Sequence, residues 1–126
     1  MQADSVRRYQ VQARSTDTFG RVLCSTRHHH FIVDGPAQNG CPGEAVTPAE
    51  VFLAGVASCG VELIHVIARD QGIRVKGVTA EIEGWVDREH PVRTDLMVFN
   101  GARLRLVLTG VTRPQAEELV EKFKSR

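Results

Sequence analysis

Three cysteines are the residues of this chain with the widest chemical range, because a thiolate can attack a peroxide, form a disulfide or bind a metal. They are Cys24, Cys41 and Cys59. Their spacing lacks the close Cys-x-x-Cys pairs of a zinc site, and an odd number argues against a closed disulfide framework. We therefore expect free thiols and no structural metal. A cysteine in an apolar helix is usually a packing residue, so these patterns alone do not make any of the three reactive.

Two groups of polar residues could also do chemistry. His28–His30 is a run of adjacent imidazoles, but side chains alternate between the two faces of a strand, so the three cannot converge on one metal. We interpret the run as a solvated edge strand. Glu62, His65 and Arg69 share one face of a predicted helix and could form a general-base cluster. An exposed or interfacial edge of ion pairs is the commoner arrangement, and we favour it.

Length, composition and charge limit the class of protein. The chain has 126 residues, 42% of them apolar and 25% charged, which predicts one globular domain over residues 1–126. A formal charge of +1 offers no strong attraction to nucleic acid or to anionic lipid. Residues 1–8 lead into no apolar stretch of the secretory kind, and no charge-free run is long enough to span a bilayer. We expect a cytosolic protein with reduced thiols.

Three short strands are expected in the first third of the chain. Apolar and polar residues alternate from Tyr9 to Ala13, around Val22, and again from Phe31 to Val33. A turn is predicted at residues 17–20, and a loop rich in glycine and proline at residues 35–43.

A central helix follows, with clear start signals. Thr47 fits the N-cap, Pro48 the first helical position, and Glu50 completes a capping box. Residues Val51–Val61 carry no charge and are apolar all round, so we expect this helix to be buried in the core or in a subunit interface. It is predicted to run to Gln71, before a glycine.

The second half of the chain predicts three strands and a helix. Asn100-Gly101 is a strong hairpin signal between the second and third of these strands. The order is therefore βββ-α-βββ-α, and the class is α+β with mainly antiparallel sheets. The last helix still runs at the final residue, so either it frays or the chain is cut short. The predicted strands are 75–86, 94–99 and 104–108, and the helix begins after Thr112.

The region from His30 to Ile73 resembles the OsmC/Ohr superfamily (osmotically inducible protein C and organic hydroperoxide resistance proteins). The resemblance rests on Asp34-Gly35-Pro36, on the helix start Thr47-Pro48-Ala49-Glu50-Val51-Phe52-Leu53-Ala54, and on Ala57-Ser58-Cys59. Glu89-His90-Pro91 before a strand and the helix after Leu108 match the wider OsmC-like branch.

This resemblance implies a two-helix α+β fold, an intertwined homodimer and an active site at the subunit interface. Characterised members reduce organic hydroperoxides with a thiolate on the central helix. The resulting sulfenic acid condenses with a second cysteine, and a dithiol such as dihydrolipoamide reduces the disulfide. Cys59 matches the attacking position. The family's second cysteine opens a Cys-Pro segment after the last helix, and this sequence ends before it. Neither Cys24 nor Cys41 matches that position.

Three departures bring the chain closer to the uncharacterised OsmC-like branch. The first is the missing second cysteine, the second concerns an acidic residue, and the third concerns the early arginine that polarises the thiol in the hydroperoxidases, for which Arg21 is a candidate by position alone. The hydroperoxidases carry Glu directly after the helix-initiating proline, where this chain has Ala49. Glu50 comes one residue later, roughly on the opposite side of the helix from Cys59, which favours a capping role. Cys59 is also about three turns from the helix start, too deep for the helix dipole to stabilise a thiolate. A cation must come from elsewhere, with Arg21 or Arg27 as candidates.

The leading interpretation is a thiol-dependent peroxidase with Cys59 as its peroxidatic residue, acting on small apolar hydroperoxides without a cofactor or a metal. The expected partners are a second copy of the chain and a dithiol reductant. Two alternatives stay open. A non-enzymatic dimer could bind an apolar ligand in a pocket lined by Phe52, Val56 and Cys59, or the dimer could be purely structural.

Overall fold

A computed structural model describes residues 5–126. Residues 1–4, part of the stretch that argued against a secretory signal, lie outside the described residues. The chain divides into two compact units, the first ending at Val51 and the second beginning at Phe52. In chain order the elements are β1 (Gln12–Ser15), β2 (Arg21–Thr26), β3 (His29–Asp34), a short 3-10 helix (Ala37–Asn39), α1 (Pro48–Asp70), β4 (Gly77–Trp85), β5 (Gly101–Thr109) and α2 (Arg113–Lys124).

The first unit is built on an antiparallel sheet in the order β1-β2-β3. The predicted turn between β1 and β2 is confirmed, and Gly20 takes the left-handed backbone conformation there, with φ of 77°. β3 lies at the edge of this sheet, and His29 and His30 are exposed on it. The His30 imidazole is 2.7 Å from the Ser25 hydroxyl on β2. The solvated-edge interpretation of the histidine run is confirmed.

The second unit places two helices on a two-stranded antiparallel sheet. β4 and β5 pair from Gly77 opposite Thr109 to Trp85 opposite Gly101. α1 contributes apolar side chains at helical spacing to the core, and α2 covers them with Leu119, which is fully buried. The α+β class with antiparallel sheets and two helices is confirmed. The buried core residues are Ile64, Ile67, Ala68 and Leu119.

The predicted strand over residues 94–99 is wrong, and so is the two-residue turn at Asn100-Gly101. The observed order is βββ-α-ββ-α. Trp85 pairs directly with Gly101, so residues 86–100 form one long connection. Asn100 closes this connection with its side chain, which accepts from the Asp87 backbone N–H at 2.6 Å and donates to the His90 carbonyl at 2.7 Å. An asparagine that can bond the backbone in this way need not form a tight turn.

The central helix ends within one residue of its predicted end, but it is more exposed than the sequence predicted. By length and composition alone, α1 is long and apolar enough to cross a membrane. The expectation that no run is long enough to span a bilayer considered only the charge-free stretch Val51–Val61. Core helices of soluble proteins pass the same test, and α1 packs its second half on β5 and α2. For a single chain the prediction that this helix is buried on all sides is wrong, because only 22% of its apolar 18-residue stretch is buried.

Candidate functional site

The start of α1 is fixed by the capping box that the sequence predicted. The Glu50 carboxylate accepts from the Thr47 backbone N–H at 2.9 Å and from the Thr47 hydroxyl at 2.8 Å. These two hydrogen bonds lower the pKa of Glu50. Glu50 therefore holds the helix start, which confirms its capping role.

Cys59 lies midway along α1 and is exposed. Phe52 and Val56 precede it by two turns and one turn on the same helix face, and they are 61% and 40% exposed. The stripe continues through Leu63 and Val66, which are half-buried. Successive residues of the stripe are alternately four and three positions apart. This is the spacing of the apolar seam along which two helices pack together. The candidate thiol thus lies in an apolar stripe whose N-terminal part is exposed among the described residues.

Gly60 explains why Cys59 points away from the core. It is buried, and a Cβ at this position would lie 3.6 Å from side-chain atoms of Leu104 on β5 and Phe123 on α2. The absent side chain lets the sheet and α2 approach the helix closely. The face that carries Gly60 is therefore turned inward, and the face about 100° away, which carries Cys59, is left free.

An aromatic pair extends the apolar stripe at its N-terminal end. The ring of Phe99 stacks on Phe52, with centroids 5.8 Å apart and an interplanar angle of 27°. A Cβ on Gly84 would lie only 2.9 Å from Phe99 and 3.0 Å from Leu53, so this glycine makes room for both. Phe99 was not among the predicted site residues, because the sequence pattern placed it in a strand. A lone glycine within a strand pattern was the available signal of close packing there.

Arg21, a candidate activator of the thiol, forms ion pairs with two carboxylates of the first unit. Its guanidinium donates to both oxygens of Asp34, at 2.8 and 2.9 Å, and to Glu44 at 3.1 Å. Asp34 is fully buried and also accepts from the backbone N–H groups of Glu44 and Ala45. Arg21 holds the pKa of Asp34 well below its usual range, and Asp34 in turn raises that of Arg21. This network ties β2 and β3 to the segment that leads into α1.

Within the described part of the chain, the structure gives no hydrogen bond or ion pair among the other polar residues that were considered for chemistry, which are Arg27, Glu62, His65 and Arg69. Arg27 lies in the turn between β2 and β3, where it has a positive φ of 53°. Glu62, His65 and Arg69 are all exposed, as the edge interpretation predicted. The ion pair of Arg69 is formed with its neighbour Asp70, at 3.3 Å.

Cys24 and Cys41 are free, half-buried thiols of the first unit. Cys24 lies on β2, opposite Phe31. The Cys41 sulfur packs against Gly20 and Gly35 so closely that a Cβ on either glycine would collide with it. Cys41 therefore fills a space that two glycines leave open, which is a packing role.

One group of side chains has the composition of a metal site. Asp87, Glu89 and His90 bring three ligand atoms within 4.8 Å of one another, and all three residues are exposed. Asp87 already accepts from the Glu89 backbone N–H at 3.0 Å and lies 3.2 Å from the His90 imidazole. These hydrogen bonds belong to a local turn, and they explain why the three side chains lie close together.

Comparison with known proteins relates this chain to a protein family. The family profile described as OsmC-like protein matches residues 41–126. No curated protein sequence matches the chain. Among solved structures, an OsmC-like protein from Mycoplasma pneumoniae superposes with a TM-score of 0.79 at 14% identity, covering 95% of this chain and 82% of that one.

Two further structures carry names that refer to organic hydroperoxide resistance. The protein from Legionella pneumophila has a TM-score of 0.73 at 23% identity, covering 97% of this chain and 85% of its own. The protein from Elizabethkingia anophelis has a TM-score of 0.77 at 16% identity, covering 98% and 85%. At these identities the likeness establishes the fold.

Proposed function

This chain belongs to the OsmC-like protein family, and on that premise we propose that it is a thiol-dependent peroxidase that reduces organic hydroperoxides through Cys59. The observation that carries the proposal is the position of Cys59, exposed within the apolar stripe of α1. An apolar hydroperoxide needs an apolar surface beside the nucleophile, and Phe52 and Val56 supply it. The names of the Legionella and Elizabethkingia structures agree with this chemistry.

The chemical step is the attack of the Cys59 thiolate on the outer oxygen of the hydroperoxide. A sulfur–oxygen bond forms and the oxygen–oxygen bond breaks, so the sulfur loses two electrons and becomes a sulfenic acid. The leaving alkoxide takes a proton and departs as the alcohol. A second thiol then displaces water from the sulfenic acid to form a disulfide, and a dithiol returns Cys59 to its starting state.

The site is completed by a second copy of the chain. A stripe of large apolar side chains on one helix face is rarely left in water, and the seam from Phe52 to Val66 suits a second α1. Dimerisation would cover Phe52 and Val56 and place Cys59 at the interface, in agreement with the generally dimeric family. The free thiols fit a cytosolic protein that takes part in the response to oxidative stress.

A binding function without turnover is the alternative. The same apolar stripe would hold an apolar molecule without reacting with it. Ala49 favours this alternative, because it lacks the carboxylate that the hydroperoxidases carry at this position. The two functions differ in whether peroxide is consumed.

Peroxide consumption by the purified chain separates the two functions. We expect the wild type to consume about one equivalent of cumene hydroperoxide without added reductant, because one sulfenic acid forms per Cys59. The Cys59→Ser variant should consume none, and the Cys24→Ser/Cys41→Ser variant should match the wild type. Equal consumption by Cys59→Ser would contradict the proposal. Binding of cumyl alcohol by a protein that consumes no peroxide would support the alternative.

Dihydrolipoamide tests the second half of the cycle. Cys24 and Cys41 are half-buried, and neither matches the family's second cysteine, so we expect little turnover by these 126 residues. Sustained turnover that is lost in the Cys24→Ser or the Cys41→Ser single variant would assign the second-thiol role to that residue.

A further inference from the structure

A cavity at the C-terminal end of α1 concentrates positive charge. It has a volume of about 490 Å³ and is lined by residues of α1, of the connection to β4 and of the turn after β5. Four of its lining residues are basic or can become so, although the whole chain carries a formal charge of only +1. Apolar groups form the rest of the lining. The lining residues are His65, Ala68, Arg69, Ile73, Arg74, Val75, Lys76 and Gly110.

Most of this positive charge is not neutralised by the protein. Arg69 pairs with Asp70 at 3.3 Å, and both side chains are well exposed. In the described part of the chain, the side chains of His65, Arg74 and Lys76 form no ion pair or hydrogen bond. The carbonyl end of α1 attracts cations to this region, but an exposed helix end contributes only a fraction of a charge. The cavity therefore keeps free capacity for an anion.

The backbone that carries these residues is held in place. Gly72 ends α1 in the left-handed conformation, with φ of 70°, and the Ile73 N–H returns to the Ala68 carbonyl at 2.9 Å. The Lys76 N–H donates to the Thr109 carbonyl at 2.9 Å. Gly110 approaches so closely that a Cβ there would lie 2.9 Å from the Lys76 nitrogen. Arg74 and Lys76 thus project from a fixed loop, which lowers the cost of ordering them around a ligand.

We propose that this cavity binds a small phosphate monoester that carries a compact apolar group. The guanidinium groups of Arg69 and Arg74 suit phosphate oxygens, and Lys76 adds a point charge. Ala68, Ile73 and Val75 offer apolar surface to the group attached to the phosphate. A nucleic acid backbone would need an extended basic track, and this charge lies in one concavity. Arg69 begins roughly 15 Å beyond Cys59 along α1, so the site is separate from the proposed thiol chemistry.

Nuclear magnetic resonance titration of the full chain with phenyl phosphate tests the proposal. At constant ionic strength we expect saturable shifts confined to residues 65–76 and 110, with inorganic phosphate binding more weakly and phenol weaker still. The Arg74→Gln/Lys76→Gln variant should bind phenyl phosphate about tenfold more weakly, because two charged partners are lost. The control variant Arg103→Gln/Lys124→Gln loses the same charge outside the cavity and should bind like the wild type.

Three results would overturn the proposal. Equal weakening in both variants would mean a general attraction of charge. Equal affinity for inorganic phosphate and phenyl phosphate would mean that the apolar lining contributes nothing. Absence of saturable shifts at residues 65–76 would mean that the cavity binds no phosphate. None of these results bears on peroxide consumption by Cys59, so the two proposals fail independently.

Discussion

The two halves of α1 have similar apolar composition and opposite surroundings. From Gly60 to Ala68, the inward residues pack on β4, β5 and α2, and Ile64 is fully buried. From Phe52 to Cys59, large apolar side chains lie exposed. The difference arises from what the chain itself places beside each half. Gly60 and the core residues after it meet a sheet and a helix, whereas Phe52, at the start of the stripe through Cys59, stacks on Phe99 and is still 61% exposed.

This contrast suggests that the second half of α1 serves mainly the stability of the fold and the first half mainly the proposed function. The second half of α1 is stabilised within the chain, so substitutions there should weaken folding at any protein concentration. In the proposed dimer a second copy covers the first half, so substitutions there should act on assembly and on the thiol. Substitutions in the two halves should therefore differ in their dependence on protein concentration.

The largest expected effect is in the buried half. Ile64→Ala removes a fully buried side chain and should lower the free energy of unfolding by about 2–5 kcal/mol. Urea denaturation followed by circular dichroism measures this. The matched variant Val56→Ala should cost clearly less in dilute solution, and it should become destabilising only at concentrations where the protein dimerises. Equal costs at all concentrations would show that both halves are covered within one chain.

A charge in the exposed half should break assembly while the fold remains. Val56→Glu would place an unpaired carboxylate in the proposed interface, which should weaken dimerisation about a hundredfold or more. Sedimentation equilibrium should show a dimer for the wild type and a monomer for the variant, with unchanged helix content. A folded wild-type monomer would contradict the interface.

Acid should weaken the network that leads into α1. Arg21 lowers the pKa of Asp34, so Asp34 contributes stability above its unfolded pKa of about 4 and loses it as the pH falls towards the folded value. The melting temperature of the wild type should therefore fall below about pH 4. Asp34→Asn should melt lower at pH 7 and change less between neutral pH and pH 3. A parallel pH dependence in both proteins would count against this role.

The smallest expected effects are at the helix starts. Thr112 caps α2 in a complete capping box, and Thr47 holds the equivalent position before α1. Thr112→Ala and Thr47→Ala should each lower the free energy of unfolding by about 0.5–2 kcal/mol, measured by urea denaturation. Thr→Ser at either position keeps the hydroxyl and serves as the control. No loss in both alanine variants would mean that packing alone fixes the helix starts.

Much of the fold could be predicted from local sequence signals. The capping boxes and Gly72 located both helices, and alternation located β2 and β3, because these signals act over a few residues. β1 begins at Gln12, three residues after the predicted start at Tyr9. The strand predicted at residues 94–99 failed because the pairing of Trp85 with Gly101 is long-range. No local pattern shows which segment a strand will pair with.

The candidate site was predictable only in part. The family motif led to Cys59, but its exposure depends on Gly60 facing β5 and α2, which the motif does not encode. Asp34 entered the sequence analysis only as part of the family motif Asp34-Gly35-Pro36, and its burial was not predicted. Its burial beneath Arg21 depends on the register of β2 and β3, which is a tertiary feature.

Trapping of the oxidised thiol shows directly whether Cys59 is the residue that reacts with peroxide. Native protein is treated with one equivalent of cumene hydroperoxide in the presence of dimedone, which captures sulfenic acids, and each cysteine peptide is quantified by mass spectrometry. The account predicts a dimedone adduct at Cys59, with far less at Cys24 and Cys41, because Cys59 is the exposed thiol on the apolar stripe. An adduct distributed evenly over the three cysteines, or formed at Cys59 only after unfolding, would contradict it.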